Sequence, residues 1–264
     1  MVQRIKSYSY LLWQLFKTDM VVFRQNIVSD VVNILVWVGS LGLIFTYIFP
    51  LLGMETKYSA LLIFSNIAGI SYWKIWEGSF NLIADLEGDK TIEYYLTLPI
   101  PSWLVFVKMV LVHTFKALVF FAITFPIFKL LLWNHLSLAN FSLPKFALMI
   151  LVIGLFTGSF QIFLASFIKN VNDVEKVGIR VILPLWFFGG TNFPWKVLYN
   201  SLSPKLAYFA LANPLIFAME GAHGAALGQT GFLPFGLCVV ALLAISTIFG
   251  AIGILRFKRR LDLV

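Results

Sequence analysis

Long apolar stretches separated by short polar segments dominate the sequence. Six of them are candidates for membrane-spanning helices, and they comprise residues 27–49, 58–84, 103–133, 144–168, 177–193 and 232–255. A helix needs about 20 apolar residues to cross the hydrocarbon layer of a bilayer. Five stretches exceed that length, whereas residues 177–193 only approach it. The pattern therefore predicts six transmembrane helices.

The N-terminal segment, residues 5–23, has a different pattern. Its apolar residues recur at helical spacing and its basic and polar residues fall on other faces; the apolar set is Ile5, Tyr8, Leu12, Leu15 and Phe16. A helix with one apolar and one basic face is typical of the membrane interface. We therefore predict an amphipathic interfacial helix before the first span.

The segment between the fifth and sixth spans, residues 194–231, is too interrupted to cross the membrane. Its apolar run from Leu206 to Met219 is short and contains Asn213 followed by Pro214. Asn is a favoured helix N-cap and Pro is favoured in the first helical turn, so this pair indicates the start of a helix. We predict two half-helices that enter the membrane and return, which form a re-entrant helical hairpin.

The composition supports a membrane protein. Of the 264 residues, 60% are hydrophobic and only 12% are charged, and the mean hydropathy is +0.89. Soluble domains contain about 25% charged residues. We find no internal repeat and no linker, so residues 1–264 are predicted to form one integral membrane domain of the all-α class.

The distribution of basic residues predicts the orientation of the chain. The net charge is +8, and the basic residues gather at the ends of the apolar stretches, so no nucleic-acid partner is predicted. With six spans, most Lys and Arg residues outside the spans fall on the side that holds both termini. Because cytoplasmic loops carry an excess of Lys and Arg, both termini are predicted to be cytoplasmic.

One polar segment, residues 85–102, lies between the second and third spans. We predict a short helix there with Asp89 as its N-cap. Leu98 precedes Pro99, and a residue before Pro is disfavoured in helical geometry, so the helix is expected to end there. A short charged helix at the membrane surface is suited to contact with a soluble partner.

A few polar residues lie within or beside the apolar stretches. Lys74 and Glu77 are three residues apart and share one helix face, with Trp73 and Trp76 beside them. Charged residues inside a membrane are costly, so they form either a polar patch on a translocation path or a structural ion pair. Glu220, near the end of the interrupted segment, either faces the exit of such a path or marks the return of the chain to water.

Other residues of the spans have simpler explanations. Lys108 and Lys116 are predicted to extend their ammonium groups to the lipid headgroups, and Asp30 is predicted to lie at the interface. Gly154 and Gly158 form a small-xxx-small pair, which permits close contact between helices.

Enzymatic signatures are missing from the sequence. The three histidines are far apart and lack the short spacing of metal ligands; they are His113, His135 and His223. The run Gly88-Asp89-Lys90-Thr91 lacks the G-x-x-x-x-G-K-[ST] frame of a phosphate-binding loop. We therefore predict that the chain is not an enzyme and binds no cofactor or metal, so that any ATP is bound by another chain.

The order of these features resembles the membrane subunit of ABC type-2 exporters, the permeases of polysaccharide, teichoic-acid and drug export. The resemblance rests on the N-terminal helix, the run from Glu87 through Glu93 to Pro99, the sequence Phe-Phe-Gly-Gly-Thr-Asn-Phe-Pro at 187–194, the Asn213-Pro214-Leu215 element and the basic tail from Arg256 to Arg260. It covers nearly the whole chain and rests on the order and spacing of these motifs.

The resemblance implies a transporter of two such permeases and two ATPase subunits, which bind the ATP and Mg, in the plasma (bacterial inner) membrane. The expected cargo is an amphipathic or lipid-linked molecule such as a glycan, lipid or drug. The residues expected to contact the ATPase are Glu87, Gly88, Asp89, Lys90, Thr91, Glu93 and Pro99.

The sequence leaves two alternatives open. One is an ATP-independent channel or an ion-coupled carrier that uses Lys74 and Glu77. The other is a membrane-embedded enzyme acting on lipid precursors, which the lack of clustered acid, base or metal-binding residues disfavours.

Overall fold

The structure is a computed structural model that describes residues 2–53, 55–97, 100–131 and 138–261. Helices account for 85% of it, and no strand occurs among these residues, so the predicted all-α class is confirmed. Pro99, one of the predicted contact residues, lies outside the described residues.

Seven helices, which we label α1 to α7, form the first part of the described chain. They are α1 (Val2–Leu43, continued by a π-helical turn Ile44–Ile48 and Phe49–Leu51), α2 (Thr56–Ala68), α3 (Ile70–Glu87), α4 (Thr91–Thr97), α5 (Ser102–Leu131), α6 (Leu143–Ala165) and α7 (Val171–Val177, continued by Gly178–Ile182 and Leu183–Phe187). The remaining helices are α8 (Trp195–Val197, continued by Leu198–Leu202), α9 (Pro204–Ala210), α10 (Pro214–Leu227) and α11 (Phe235–Leu261).

The predicted boundary between an interfacial helix and a first span is wrong. Residues 2–51 form one continuous helix, because the polar residues 24–26 include no Gly or Pro that would interrupt it. The helix runs alongside α5 from its N-terminal part onward. The Tyr8 ring lies 6.4 Å from the Trp103 ring, and the Phe23 ring lies 5.6 Å from the Phe120 ring.

Four of the helices are long and apolar enough to span a membrane. They comprise Tyr8–Leu51, Ser102–Leu130, Leu143–Ala165 and Phe235–Arg260, and they include or closely match four of the six predicted stretches. The predicted second stretch is divided at Gly69 into α2 and α3, and the predicted fifth stretch is helical only as far as Phe187. A membrane protein is therefore supported, whereas six crossings stay a prediction.

Helix α6 lies at the centre of the fold. Most of its side chains are buried, between α5 on one side and α11 on another. The glycine pair permits this packing, as predicted. A Cβ atom at Gly154 would lie 2.9 Å from Thr114 Cα, and one at Gly158 would lie 3.1 Å from Val110 Cα. Larger residues at these positions would push α5 and α6 apart.

The interrupted segment folds into the short helices α8, α9 and α10. The predicted helix start is confirmed, because the Asn213 side chain accepts a hydrogen bond of 3.0 Å from the Leu215 amide and Pro214 occupies the first turn. Helix α10 is buried along most of its length. The re-entrant hairpin, which depends on how far α10 enters the bilayer, stays a prediction.

One end of the bundle, which we call the α4 end, brings together several chain segments. A cluster of buried apolar residues there joins α3, α4, α5, α6, α7 and α11; it contains Leu82, Ile83, Ile92, Phe106, Ile162, Ala165, Ile168, Val174 and Phe257. The Phe106 and Phe257 rings are 5.6 Å apart. Since Ile92 and Phe257 share this cluster, the polar segment 85–102 lies at the same end of the molecule as the C-terminal end of α11.

Candidate functional site

The polar segment at the α4 end is built around a carboxylate that was not predicted to have this function. The Asp85 carboxylate accepts hydrogen bonds from the Thr91 amide at 3.0 Å and from the Ile92 amide at 2.9 Å. Both amides belong to the first turn of α4, where backbone donors have no partner within the helix. Asp85 is therefore the cap of α4, and the prediction that Asp89 fills this position is wrong.

A tight turn connects α3 to α4. The Lys90 amide donates a 2.7 Å hydrogen bond to the Asp85 carbonyl oxygen, and Lys90 has a φ of 55°. A positive φ is uncommon for residues other than Gly, so the turn is held by its hydrogen bonds. The Lys90 ammonium forms an ion pair of 3.5 Å with the Glu93 carboxylate.

Helix α4 has one buried and one exposed face. Ile92 is 7% exposed and packs into the apolar cluster of the α4 end, whereas Tyr94 is 61% exposed. Asp89, Lys90 and Thr91 are also exposed. The helix is therefore anchored to the bundle on one side and presents an exposed polar and aromatic surface on the other.

Glu87, one of the residues predicted to contact the ATPase, forms a contact within the chain. Its carboxylate accepts a 3.1 Å hydrogen bond from the Val171 amide, which opens α7. The carboxylate thus satisfies a free donor at the N-terminus of that helix. Glu87 and Val171 are far apart in the sequence, so no local pattern predicts this contact. The C-terminal end of α3 is joined in this way to α7 as well as to α4.

Lys108 is the most buried cation near the α4 end. Its side chain is 6% exposed and its ammonium lies 2.9 Å from the Asp19 carboxylate of α1. The same ammonium lies 4.8 Å from the centre of the Tyr95 ring of α4. Burial, together with the charge of Asp19, raises the pKa of the Tyr95 hydroxyl. The prediction that Lys108 extends to the headgroups is therefore wrong, because the residue joins α1, α4 and α5.

Lys74 and Glu77 form an ion pair within a larger charge cluster. The Lys74 ammonium lies 2.7 Å from the Glu77 carboxylate and 2.7 Å from the Asp30 carboxylate. Asp30, which was predicted to lie at the interface, faces Lys74 across the contact between α1 and α3. The pairing of Lys74 with Glu77 is thus observed, and one cation serves two carboxylates, whereas a role in a translocation path stays a prediction.

The tryptophans beside this cluster are packing residues. The Trp73 ring lies 6.2 Å from the Trp37 ring of α1 and 5.0 Å from the Trp186 ring of α7. Trp76 fills the space beside Gly178, where a Cβ atom would lie 2.5 Å from its ring. Both indoles therefore connect α3 to its neighbours.

Glu220 is fully buried and lies near the opposite end of the bundle. Its carboxylate accepts a 2.5 Å hydrogen bond from the Trp195 amide and a 2.7 Å hydrogen bond from the Leu233 amide. These bonds hold α8 and the segment before α11 against α10. Among the described contacts none joins Glu220 to Lys74 or Glu77, so the predicted path residues form two separate sites.

The described histidines are held by polar neighbours in the interior. The His113 Nε2 atom lies 3.0 Å from the Thr157 hydroxyl, and the His223 Nε2 atom lies 2.7 Å from the Ser65 hydroxyl. Within the described residues, no three His, Cys, Asp or Glu side chains come together as metal ligands would. These contacts connect α5 with α6 and α2 with α10.

No protein-family model matches the chain, and no curated protein sequence matches it at a significant level. The geometry of the chain is therefore the basis on which a function is proposed. The α4 surface combines exposure with attachment to α3 and α5, whereas the Lys74 cluster and Glu220 are used in internal contacts.

Proposed function

We propose that this chain is the membrane-spanning subunit of an ATP-driven exporter of the ABC type-2 kind, in which α4 is the contact with a separate ATPase. The observation that carries the proposal is α4 itself, a short helix outside the apolar stretches with Tyr94 61% exposed on one side and Ile92 buried on the other. A surface helix with such an anchor can transmit force to the bundle.

Three polar contacts would transmit that force. The Asp85 cap fixes α4 to α3, the Lys108–Asp19 pair beside Tyr95 fixes it near α1 and α5, and Glu87 fixes the end of α3 to α7. Movement of α4 by the ATPase would therefore tilt several helices together.

In this proposal the chain supplies the path and a partner hydrolyses the nucleotide. Two copies of the chain and two ATPase subunits make the complex, and the cargo is an amphipathic or lipid-linked molecule that passes between the two copies. Six crossings require α2 and α3 to act together as the second span and α7 as the fifth. The α4 end then faces the cytoplasm, as do both termini.

Photo-cross-linking tests the contact with a matched control. Benzoylphenylalanine is placed at Tyr94 of α4 or at Tyr208 of α9, which are 61% and 60% exposed and lie at opposite ends of the bundle. After irradiation of intact membranes, the adducts are purified through a tag on this chain and identified by mass spectrometry.

We expect the Tyr94 position to capture a protein with nucleotide-binding motifs and the Tyr208 position to capture none. Adducts of Tyr94 that contain only lipid, or the same ATPase at both positions, would contradict the proposed contact.

The Lys74 cluster favours one second candidate, an ion-coupled carrier. Three charges from α1 and α3 meet at 2.7 Å, and such groups within a membrane bind or relay ions in carriers. Reconstituted vesicles separate the candidates. A carrier moves cargo along an ion gradient without nucleotide and stops when Lys74 is replaced by Met, whereas the exporter requires its ATPase and ATP.

A further inference from the structure

A basic cleft lies at the α4 end between the C-terminal parts of α6 and α11. Its volume is about 470 Å³, and its lining includes four cationic side chains and two apolar ones, namely Lys169, Arg256, Arg259, Arg260, Phe167 and Ile168. None of the ion pairs among the described residues uses these four cations. The cleft therefore holds positive charge that no described carboxylate neutralises.

Two of the arginines are held in place by the fold. The Arg260 guanidinium donates hydrogen bonds of 2.6 Å to the Ile168 carbonyl and 3.0 Å to the Lys169 carbonyl. The Arg256 guanidinium lies 3.8 Å from the centre of the Phe167 ring. Stacking leaves the N–H donors at the edge of the guanidinium plane free, and that fork matches the oxygens of a phosphate group.

An exposed apolar strip on α11 leads directly to the cleft. Ile248, Ile252 and Leu255 are 55%, 39% and 59% exposed, and their spacing of four and three residues places them on one face of the helix. Arg259 follows Leu255 by four residues and so continues the same face. A ligand that fits both the cleft and the strip has a phosphate group in the cleft and hydrocarbon chains along α11.

We propose that this cleft binds the phosphate headgroup of an anionic phospholipid, with the acyl chains of that lipid along the α11 strip. The site depends only on the membrane character of the chain and not on its proposed function as an exporter. It lies where α11, one of the four apolar helices, ends in its basic tail. Basic pockets between membrane helices are typical binding sites for such headgroups.

Native mass spectrometry of the purified full-length protein tests the proposal. The protein in detergent is titrated with dioleoyl-phosphatidylglycerol, with dioleoyl-phosphatidylcholine, or with inorganic phosphate and glycerol 3-phosphate as sources of free phosphate. The test variant is Arg256→Gln with Arg259→Gln. Arg260 is retained because its guanidinium donates hydrogen bonds to the Ile168 and Lys169 carbonyls just after α6.

The control variant, Lys145→Gln with Lys205→Gln, also removes two exposed cations but outside the cleft. Each basic residue near an anionic surface strengthens binding by a factor of about five, so the test variant should bind phosphatidylglycerol about 30-fold more weakly. The control should bind it like the unchanged chain, and phosphatidylcholine should bind weakly to all three.

Equal binding of phosphatidylglycerol by the test and control variants would overturn the proposal. Occupancy by free phosphate that blocks the lipid would also overturn it, because the ligand would then be a soluble anion. A disulfide-linked dimer formed through Leu255→Cys in membranes would show that a second copy of the chain, and not a lipid, covers the strip.

Discussion

The buried pair between Lys108 and Asp19 gives the sharpest test of how α4 is attached to the bundle. At 2.9 Å and an effective dielectric constant of about 20, the attraction between two unit charges is about 6 kcal/mol. Desolvation offsets much of this, since the Lys108 side chain is only 6% exposed. Replacement Asp19→Asn leaves that cation unpaired, and we expect the free energy of unfolding to fall by about 3 kcal/mol.

An exposed pair of the same residue types provides the control. Asp173 and Lys176 are 2.7 Å apart, but their side chains are 33% and 60% exposed. Water screens such a pair, so Asp173→Asn should lower the free energy of unfolding by less than about 1 kcal/mol. Both variants are unfolded at equilibrium by SDS in mixed micelles and followed by far-UV circular dichroism.

The double variant Asp19→Asn with Lys108→Met tests whether the unpaired charge causes the loss. It removes both charges while it keeps the length of the apolar side-chain stem, so it should be more stable than the single Asp19 variant by about 2 kcal/mol. A loss below about 1 kcal/mol for Asp19→Asn, equal to that of the exposed control, would refute the claim that a buried charge pair joins α1 to α5 beside α4.

Two further predictions concern the cap of α4 and the packing of α6. Asp85→Ala should destabilise α4 by about 1 kcal/mol and speed hydrogen exchange of the α4 amides. The control Asp89→Ala should leave this exchange unchanged. Equal exchange rates in the two variants would mean that Asp85 is not the cap. Gly154→Ala should lower the free energy of unfolding by about 1–3 kcal/mol, since its Cβ would lie 2.9 Å from Thr114 Cα. Gly236→Ala meets no neighbour and should be neutral or slightly stabilising in the same SDS titration, and a larger loss there than at Gly154 would contradict the packing argument.

The sequence pattern predicts the all-α class and the location of the long helices, because apolar runs and helix signals are local. Asn213 and Pro214 mark the start of α10 for the same reason. The boundary predicted after residue 23 is absent from the structure, since polar residues without Gly or Pro continue a helix as readily as they end it. The division at Gly69 involves a residue distant in the chain, because the Trp186 ring fills the space that a Cβ atom at Gly69 would occupy.

The candidate site was predictable only in its position. The polar segment 85–102 is visible as a break between apolar stretches, and the pairing of Lys74 with Glu77 follows from their spacing on one helix. The contacts of Lys108 with Asp19 and of Glu87 with Val171 join residues distant in the chain, so local patterns do not contain them. The Asp85 cap was not predicted, because its carboxylate reaches the first turn of α4 across the preceding turn. A usual N-cap residue directly precedes its helix.

Sidedness of labelling tests the central claim, that α4 is accessible from the cytoplasm at the end of the bundle that holds the C-terminal part of α11. Single replacements Asp89→Cys, Lys258→Cys and Lys205→Cys are treated with a membrane-impermeant maleimide in intact cells and in inverted vesicles, and the native Cys238 is fully buried. We predict that Asp89→Cys and Lys258→Cys react only in inverted vesicles and Lys205→Cys only in intact cells. Reaction of Asp89→Cys from outside the cell, or on the opposite side from Lys258→Cys, would contradict the account.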